Sequence, residues 1–492
     1  MSAAVTGSAG AARPVGTPGD DGGPDPRRWK ALAVCLVGGF MTLLDVSIVN
    51  VALPSVRAGL GASSSDLQWI VAGYALAFGL VLIPAGRIGD THSRRAVFAI
   101  GLIVFTAASG LAGAATSPLW LSAARIVQGI GAGILIPQIA GFIQTLFRGP
   151  ERGKAFGMLG AVIGISTAIG PLLGGLLVVA AGTKEGWRWV FYVNLPIGVA
   201  ALFLIRALLP PGTGRRKGEG LDPVGVALLA AGTFLVLLPL VEGDQTSLSD
   251  RAWWLEGVAA VLLGCFVLWE RAHRRRGGDP VLDLDLFRRR SYALGTALGT
   301  AYFAGFTSIF LVLTLYLQTG LGYDALIAGL ITTPFALGSA VTATLGGRIV
   351  DRFGRAVVVA GLVLVVVGLV GVDVIVGHVD HDVGLALVGP LLVTGLGSGF
   401  VIAPNQTITL SEVSAAGGGS GAGVVQTAQR IGSAVGVAVV TAVFFSTVAQ
   451  KHGDFSAALS VGIRVAIGFV VLALLVGLAD LRRPRRRGRH AR

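Results

Sequence analysis

The sequence predicts an all-α membrane protein with fourteen membrane-spanning helices, and three observations carry that prediction. Of 492 residues, 53% are hydrophobic and only 13% charged, with a mean hydropathy of +0.77, far from the balance of soluble domains. Apolar runs of about 18–28 residues recur along the chain, each long enough to cross a ~30 Å hydrocarbon core. The basic residues gather in the short segments between alternate runs, as the positive-inside rule requires of a multispan protein.

Taken in order, residues 1–28 are rich in Ala, Gly and Pro and lack an apolar signal-peptide core, so they read as a disordered tail. Six spans follow over residues 29–209, near 30–53, 67–86, 96–115, 119–142, 155–181 and 188–209. A segment over 210–290 holds the Arg215, Arg216, Lys217 cluster and two further spans near 223–242 and 252–270. Six more occupy 291–481, near 292–317, 325–347, 356–376, 384–407, 420–447 and 459–481, before a basic tail over 482–492. With an even span count, one side carries about 31 of the 39 Lys and Arg residues and the other only five. Both termini are therefore expected on the cytoplasmic side.

An internal repeat divides the chain. Gly86-Arg-Ile-Gly-Asp90 follows the second span, with Arg94 and Arg95 trailing. Gly347-Arg-Ile-Val-Asp351 follows the tenth, with Arg352, Gly354 and Arg355 trailing. Two six-span halves flanking an inserted pair, with a site between them, is a transporter architecture. The loop suits a latch: its Gly permits a tight turn, Asp90 can accept from the N-terminus of a following helix, and Arg94 and Arg95 can pair with Asp90 or a neighbouring helix.

Asp45 is the sole acid in the first span, and a carboxylate at membrane depth marks a functional site. Span 1 runs outward and span 4 inward. At 1.5 Å per residue, Asp45 and Arg125 both fall roughly 10–12 Å below the outer boundary, so an ion pair is geometrically open to them. Pairing would favour the charged form of Asp45 and desolvation the neutral one. A movement that changes either balance would take up or release a proton. In span 5, Gly170-Pro171 followed by Gly174 and Gly175 allows a bend and close helix contact. In span 13, Arg430 shares a face with Gln426 and needs a partner or water. Tyr302, Phe306 and Phe310 lie on one face of span 9, which suits an aromatic wall or plain packing.

Together these motifs resemble the major facilitator superfamily, and within it the fourteen-helix drug:proton antiporter branch, from about Trp29 to Asp480. The resemblance rests on Leu44-Asp45 through Asn50, Ala52 and Pro54, and on the Gly86–Arg95 loop. It continues through Arg125-Ile-Val-Gln128-Gly129-Ile-Gly131, Gly170-Pro171-Leu-Leu-Gly174-Gly175, and Trp187-Arg-Trp189 through Asn194, Pro196 and Gly198. It implies the major facilitator fold, a central cavity between the halves reached by Asp45 and Arg125, and an antiport role for the Gly170 motif. The candidate substrate cavity comprises Asn50, Gln128, Tyr302, Phe306, Phe310, Gln426 and Arg430. One departure stands out: Thr91 and Ser93 replace the Arg and Gly usual in the first loop, whereas the second loop keeps both. A weaker or differently shared latch in the first half is expected from that.

Other chemistries are excluded. No phosphate-cradling Gly-Lys-Ser/Thr loop appears, and Gly417 to Gly423 reads as a small-residue hinge. No His lies within a predicted span, and His378, His381 and Asp382 fall in an outer loop. Cys35 and Cys265 form no metal pattern, and no nucleophile cluster suggests an enzyme. The charge surplus has no aromatic interleaving to bind nucleic acid. The expectation is a monomeric transporter in the bacterial cytoplasmic membrane without a cofactor, driven by the proton gradient. Its partners would be protons, lipid and a small amphipathic or cationic compound. A dedicated metabolite exporter, a proton-coupled importer, and a membrane sensor or enzyme are the alternatives.

Overall fold

In the computed structural model the described residues are 25–182, 184–210, 222–242, 249–379 and 382–482. The tail up to residue 24, Arg215 to Lys217, His381 and the basic tail beyond Arg482 lie outside them. The first half contains α1 (Arg28–Leu60), α2 (Ser64–Thr91), α3 (Arg94–Gly113), α4 (Pro118–Leu146), α5 (Pro150–Ala181), α6 (Gly186–Tyr192) and α7 (Asn194–Leu208). An inserted pair follows, α8 (Pro223–Glu242) and α9 (Ser249–Arg275). The second half contains α10 (Arg290–Leu315), α11 (Ala325–Phe353), α12 (Arg355–His378), α13 (Val383–Ser411), α14 (Gly418–Gln450) and α15 (Phe455–Leu481). No strand occurs among the described residues.

Short polar caps start these helices where the apolar runs begin. Ser63 and Asp66 form a capping box at α2, and Ser117 with Pro118 opens α4. Asp324 and Asp454 cap α11 and α15. Several helices, α1, α2, α5, α11 and α13 among them, outrun the predicted spans by a turn or more, whereas α3, α8 and α10 match theirs in length. The sixth span is broken at Val193 into α6 and α7, which places Asn194 at the start of a helix deep in the bundle.

Twelve segments among the described residues are long and apolar enough to cross a membrane, α6 with α7 counting as one. Between the two halves lie α8, 20 residues reading PVGVALLAAGTFLVLLPLVE, and α9, whose acidic Asp250 and Glu256 precede a long apolar run. They pack on each other, and α8 lies against α2 and α14.

Within the first half α4 packs on α2 and α3, and α1 on α5; within the second, α13 packs on α11 and α12, and α10 on α14 and α15. The halves meet along α5 with α11 and α2 with α14. One apolar cluster runs from the first half through Leu229 and Phe266 of the inserted pair into Tyr292, Val413 and Val424 of the second. That continuity lies toward the end bearing the duplicated loops, here termed the basic face.

Candidate functional site

The sequence leaves one acid inside α1, and the fold seals it. Asp45 is fully buried and Arg125 is 2% exposed. Arg125 Nη1 donates to Asp45 Oδ2, while its Nε reaches the Ile70 carbonyl at 3.2 Å. Gln128, one turn along α4, donates to Asp45 Oδ1 at 2.8 Å and accepts from Arg125 at 2.8 Å. Asn194 adds a second donor to Oδ1, the third to the carboxylate, at 3.3 Å and also donates to Ser109 at 3.1 Å. The guanidinium lies over the Tyr74 ring, 4.2 Å from its centre. A buried carboxylate survives when paired and hydrogen-bonded, and each need is met here.

Gln128 therefore stands in the ion-pair site itself. Asn50, one and a half turns beyond Asp45, is exposed and outside it. Asn194 and Ser109 were not among the expected site residues. The available signal was an amide at the break of the sixth span, where a helix start points a polar side chain inward.

The Gly170 motif lies beside this site. Gly170 packs directly against Ser47 of α1, whose hydroxyl donates to the carbonyls of Leu44 at 3.0 Å and Ser166 at 3.1 Å. Gly174 meets Ile48, whereas Gly175 faces open space. Pro171 stands within a continuous α5 and approaches Gly329 of α11 in the other half. One stretch of α5 thus touches the acid's helix and the opposite bundle.

At the basic face the first loop crosses between the halves. Asp90 accepts from the backbone N–H of Gly419 at 2.9 Å and of Ser420 at 2.7 Å, at the start of α14. Arg94 pairs with Asp90 at 2.5 Å and donates to the Gly141 carbonyl at 2.9 Å. Arg95 instead donates to the Leu209 and Arg206 carbonyls at the end of α7. Gly86 abuts the Gly419 carbonyl so closely that a Cβ would collide with it. Gln144 of α4 adds a bridge to the Leu410 carbonyl of α13 at 2.8 Å.

The second loop makes the reciprocal approach. Gly347 meets the Gly153 carbonyl of α5, again with no room for a Cβ. Asp351 and Arg352 are exposed, with Arg352 over the Phe353 ring at 5.3 Å. Gly354 has a φ of 57°, a left-handed turn that suits glycine, and it carries the chain directly into α12. Arg355 points into its own half, pairing with Asp480 at 2.7 Å and donating to Asn405.

On the second half's inner side, Gln426 and Arg430 are both half-buried on α14. Arg430 lies over the Phe78 ring of α2 at 4.5 Å. The aromatic stripe of α10 is not brought to this point. Tyr302 is buried and donates to Ser398 at 2.8 Å, and Phe306 and Phe310 pack against Phe335 of α11.

A model of the Major Facilitator Superfamily matches residues 35–437. The probable actinorhodin transporter of Streptomyces coelicolor is 39% identical over 447 residues, covering 89% of this chain and 77% of that protein. The puromycin resistance protein pur8 of Streptomyces alboniger is 35% identical, with 92% and 90% covered. The multidrug resistance protein Stp of Mycobacterium tuberculosis is 33% identical, with 85% and 76% covered. Among solved structures, the human organic anion transporter MFSD10 superposes with a TM-score of 0.66 at 16% identity, covering 92% of this chain and all of that one. The proton:xylose symporter XylE gives 0.66 at 17%, with 92% and 95% covered. At such identities these two speak for the fold alone.

Proposed function

The chain belongs to the Major Facilitator Superfamily and is a multi-pass transporter rather than an enzyme, and from that premise we propose a proton-coupled antiporter that exports small amphipathic compounds by alternating access. The basic face is assigned to the cytoplasm of a bacterial inner membrane, with both termini there. The inserted pair α8 and α9 supplies two further spans in this reading, as in the fourteen-helix branch.

The single observation that carries proton coupling is the sealed Asp45 site. A proton arriving on Asp45 removes its charge and leaves the Arg125 guanidinium buried without a counter-charge. Breaking such a pair costs about 3–5 kcal/mol, so the site must rearrange when its protonation changes. Gly170 and Pro171 tie that rearrangement to α1 on one side and to α11 on the other. Rocking of the halves would open the basic face by breaking the Asp90 bonds to α14. Relatives named for drug or antibiotic resistance support export as the direction.

The test is proteoliposome exchange under an imposed pH gradient, with amphipathic antibiotics as cargo and an entrapped pH dye as the proton readout. Asp45→Asn is expected to lose cargo-driven proton movement at least tenfold. An exchange rate equal to wild type would remove Asp45 from the coupling mechanism. A second reading, a dedicated exporter of one metabolite, is favoured by relatives named for a single product. Tolerance confined to one chemical class in a compound panel would select it.

A further inference from the structure

The charges inside the spans of the two six-helix halves do not cancel. Asp45 is committed to Arg125, Gln128 and Asn194 and is closed to solvent. Toward the other face, Asp373 is paired with Arg464 at 2.9 Å. Arg430 is left over. Among the described residues its guanidinium has no carboxylate and no hydrogen-bond acceptor; it lies over the face of Phe78 and within reach of the Tyr74 phenol. It is half-buried where α14 packs on α2. Its depth matches Phe78: counted from Gly419 on α14 and from Asp90 on α2, both lie roughly 17 Å in from the basic face.

An arginine at membrane depth without an acid is costly, and such residues persist where a ligand or water completes them. A guanidinium offers five N–H groups in a planar fork that matches a carboxylate or sulfonate oxygen pair. One side of this fork is already stacked on Phe78, whose ring lies 6.0 Å from that of Tyr74. Tyr74 in turn underlies Arg125. The vacant donors are thus flanked by an aromatic surface one helical turn from the ion-pair site.

We propose that Arg430 is the anchor for the anionic group of an aromatic, amphipathic cargo bound between the halves. The cargo role rests on the export reading above, whereas the anion site itself does not. A cationic compound would meet an uncompensated positive charge and no free carboxylate. The cargo expected from sequence, amphipathic or cationic, narrows to amphipathic anions.

The test uses two xanthene dyes of one skeleton and opposite charge, fluorescein and rhodamine 6G, with the full chain in lipid nanodiscs. Fluorescence anisotropy reads binding, and proteoliposome uptake under a pH gradient reads transport. Wild type should bind fluorescein in preference to rhodamine 6G. Arg430→Gln should weaken fluorescein binding at least tenfold while keeping the wild-type Tm. Arg430→Lys, which keeps the charge but loses the fork, should fall between them and guards against a folding defect in the Gln variant. Equal fluorescein binding by wild type and Arg430→Gln would overturn the proposal, as would a wild-type preference for rhodamine 6G or no fluorescein binding at all. Arg430-dependent binding without uptake would uphold the anion site and count against export instead.

Discussion

The two copies of the Gly-Arg-Ile-x-Asp loop begin alike and end in different places. Both glycines touch the opposite half, Gly86 on α14 and Gly347 on α5, where only a missing side chain lets backbones meet. Beyond the glycines the copies diverge. Asp90 spends its carboxylate on the N-terminus of α14, and Arg94 stays beside it. Asp351 is exposed, and Arg355, at the position matching Arg94, is buried in its own half with Asp480 and Asn405. The replaced residues account for the routing. Ser93 is extended, with φ of −71°, and caps α3, holding Arg94 near Asp90 at the seam. Gly354 turns left-handed and swings Arg355 inward. Duplication supplied two loops; local turn chemistry gave one a hydrogen-bonded latch between halves and turned the arginine of the other inward as a brace, leaving Asp351 exposed within reach of the Arg152 charge.

Removing the brace should have the largest effect on stability. Arg355→Ala leaves Asp480 and Asn405 without their cation in a mostly buried setting, a loss of about 3–5 kcal/mol. Thermal unfolding in nanodiscs should show a clear fall in Tm, well beyond that of Arg94→Ala. Equal falls for the two variants would erase the distinction between brace and seam.

The seam should answer in conformation rather than in unfolding. Asp90→Ala deletes two charge-assisted bonds to α14 and the Arg94 pair. Hydrogen bonds to a charged group are worth about 1.5–3 kcal/mol each, so even one shifts a two-state balance by roughly tenfold or more. Spin labels at Arg148→Cys and Ala415→Cys, with Cys265 replaced, should report a longer separation across the basic face in Asp90→Ala. An unchanged distance distribution would mean that the glycine contacts and the Gln144 bridge hold the face shut unaided.

What could be read in advance follows the geometry that each inference needed. Asp45 and Arg125 were matched because helix rise is constant, so depth can be counted along two antiparallel helices. Gln128, expected in the substrate cavity, shares Arg125's face of α4 and joins the pair instead. Asn194 was missed as a site residue because it enters from a break in the sixth span, which hydropathy does not register. For Asp90 a helix N-terminus was the right kind of partner, but the following helix was the natural candidate. The partner is α14, 329 residues away, and no local pattern encodes that pairing. Spacing placed Tyr302, Phe306 and Phe310 on one face but could not say which neighbour the face meets; Tyr302 meets Ser398 and closes into its own half. The inserted pair shows the same limit. Its apolar runs were visible and α8 and α9 form over them, but no local pattern says that α8 packs against α2 and α14.

The smallest expected effect belongs to the position where sequence alone forecasts the largest. Asp351, with Arg352, Gly354 and Arg355, completes the fuller version of the loop motif, so by pattern it is the stronger latch. In the structure Asp351 is exposed at the basic face within reach of the Arg152 charge of α5, an interaction that water screens and that the cost of holding long side chains in register partly offsets. Asp351→Asn should therefore leave Tm and the label separation within measurement error of wild type, under conditions where Asp90→Ala lengthens that separation. A shift in the Asn variant as large as that of Asp90→Ala would mean that the exposed Asp351–Arg152 coupling holds the seam as firmly as the Asp90 bonds do, and the two loops would then be latches of equal rank.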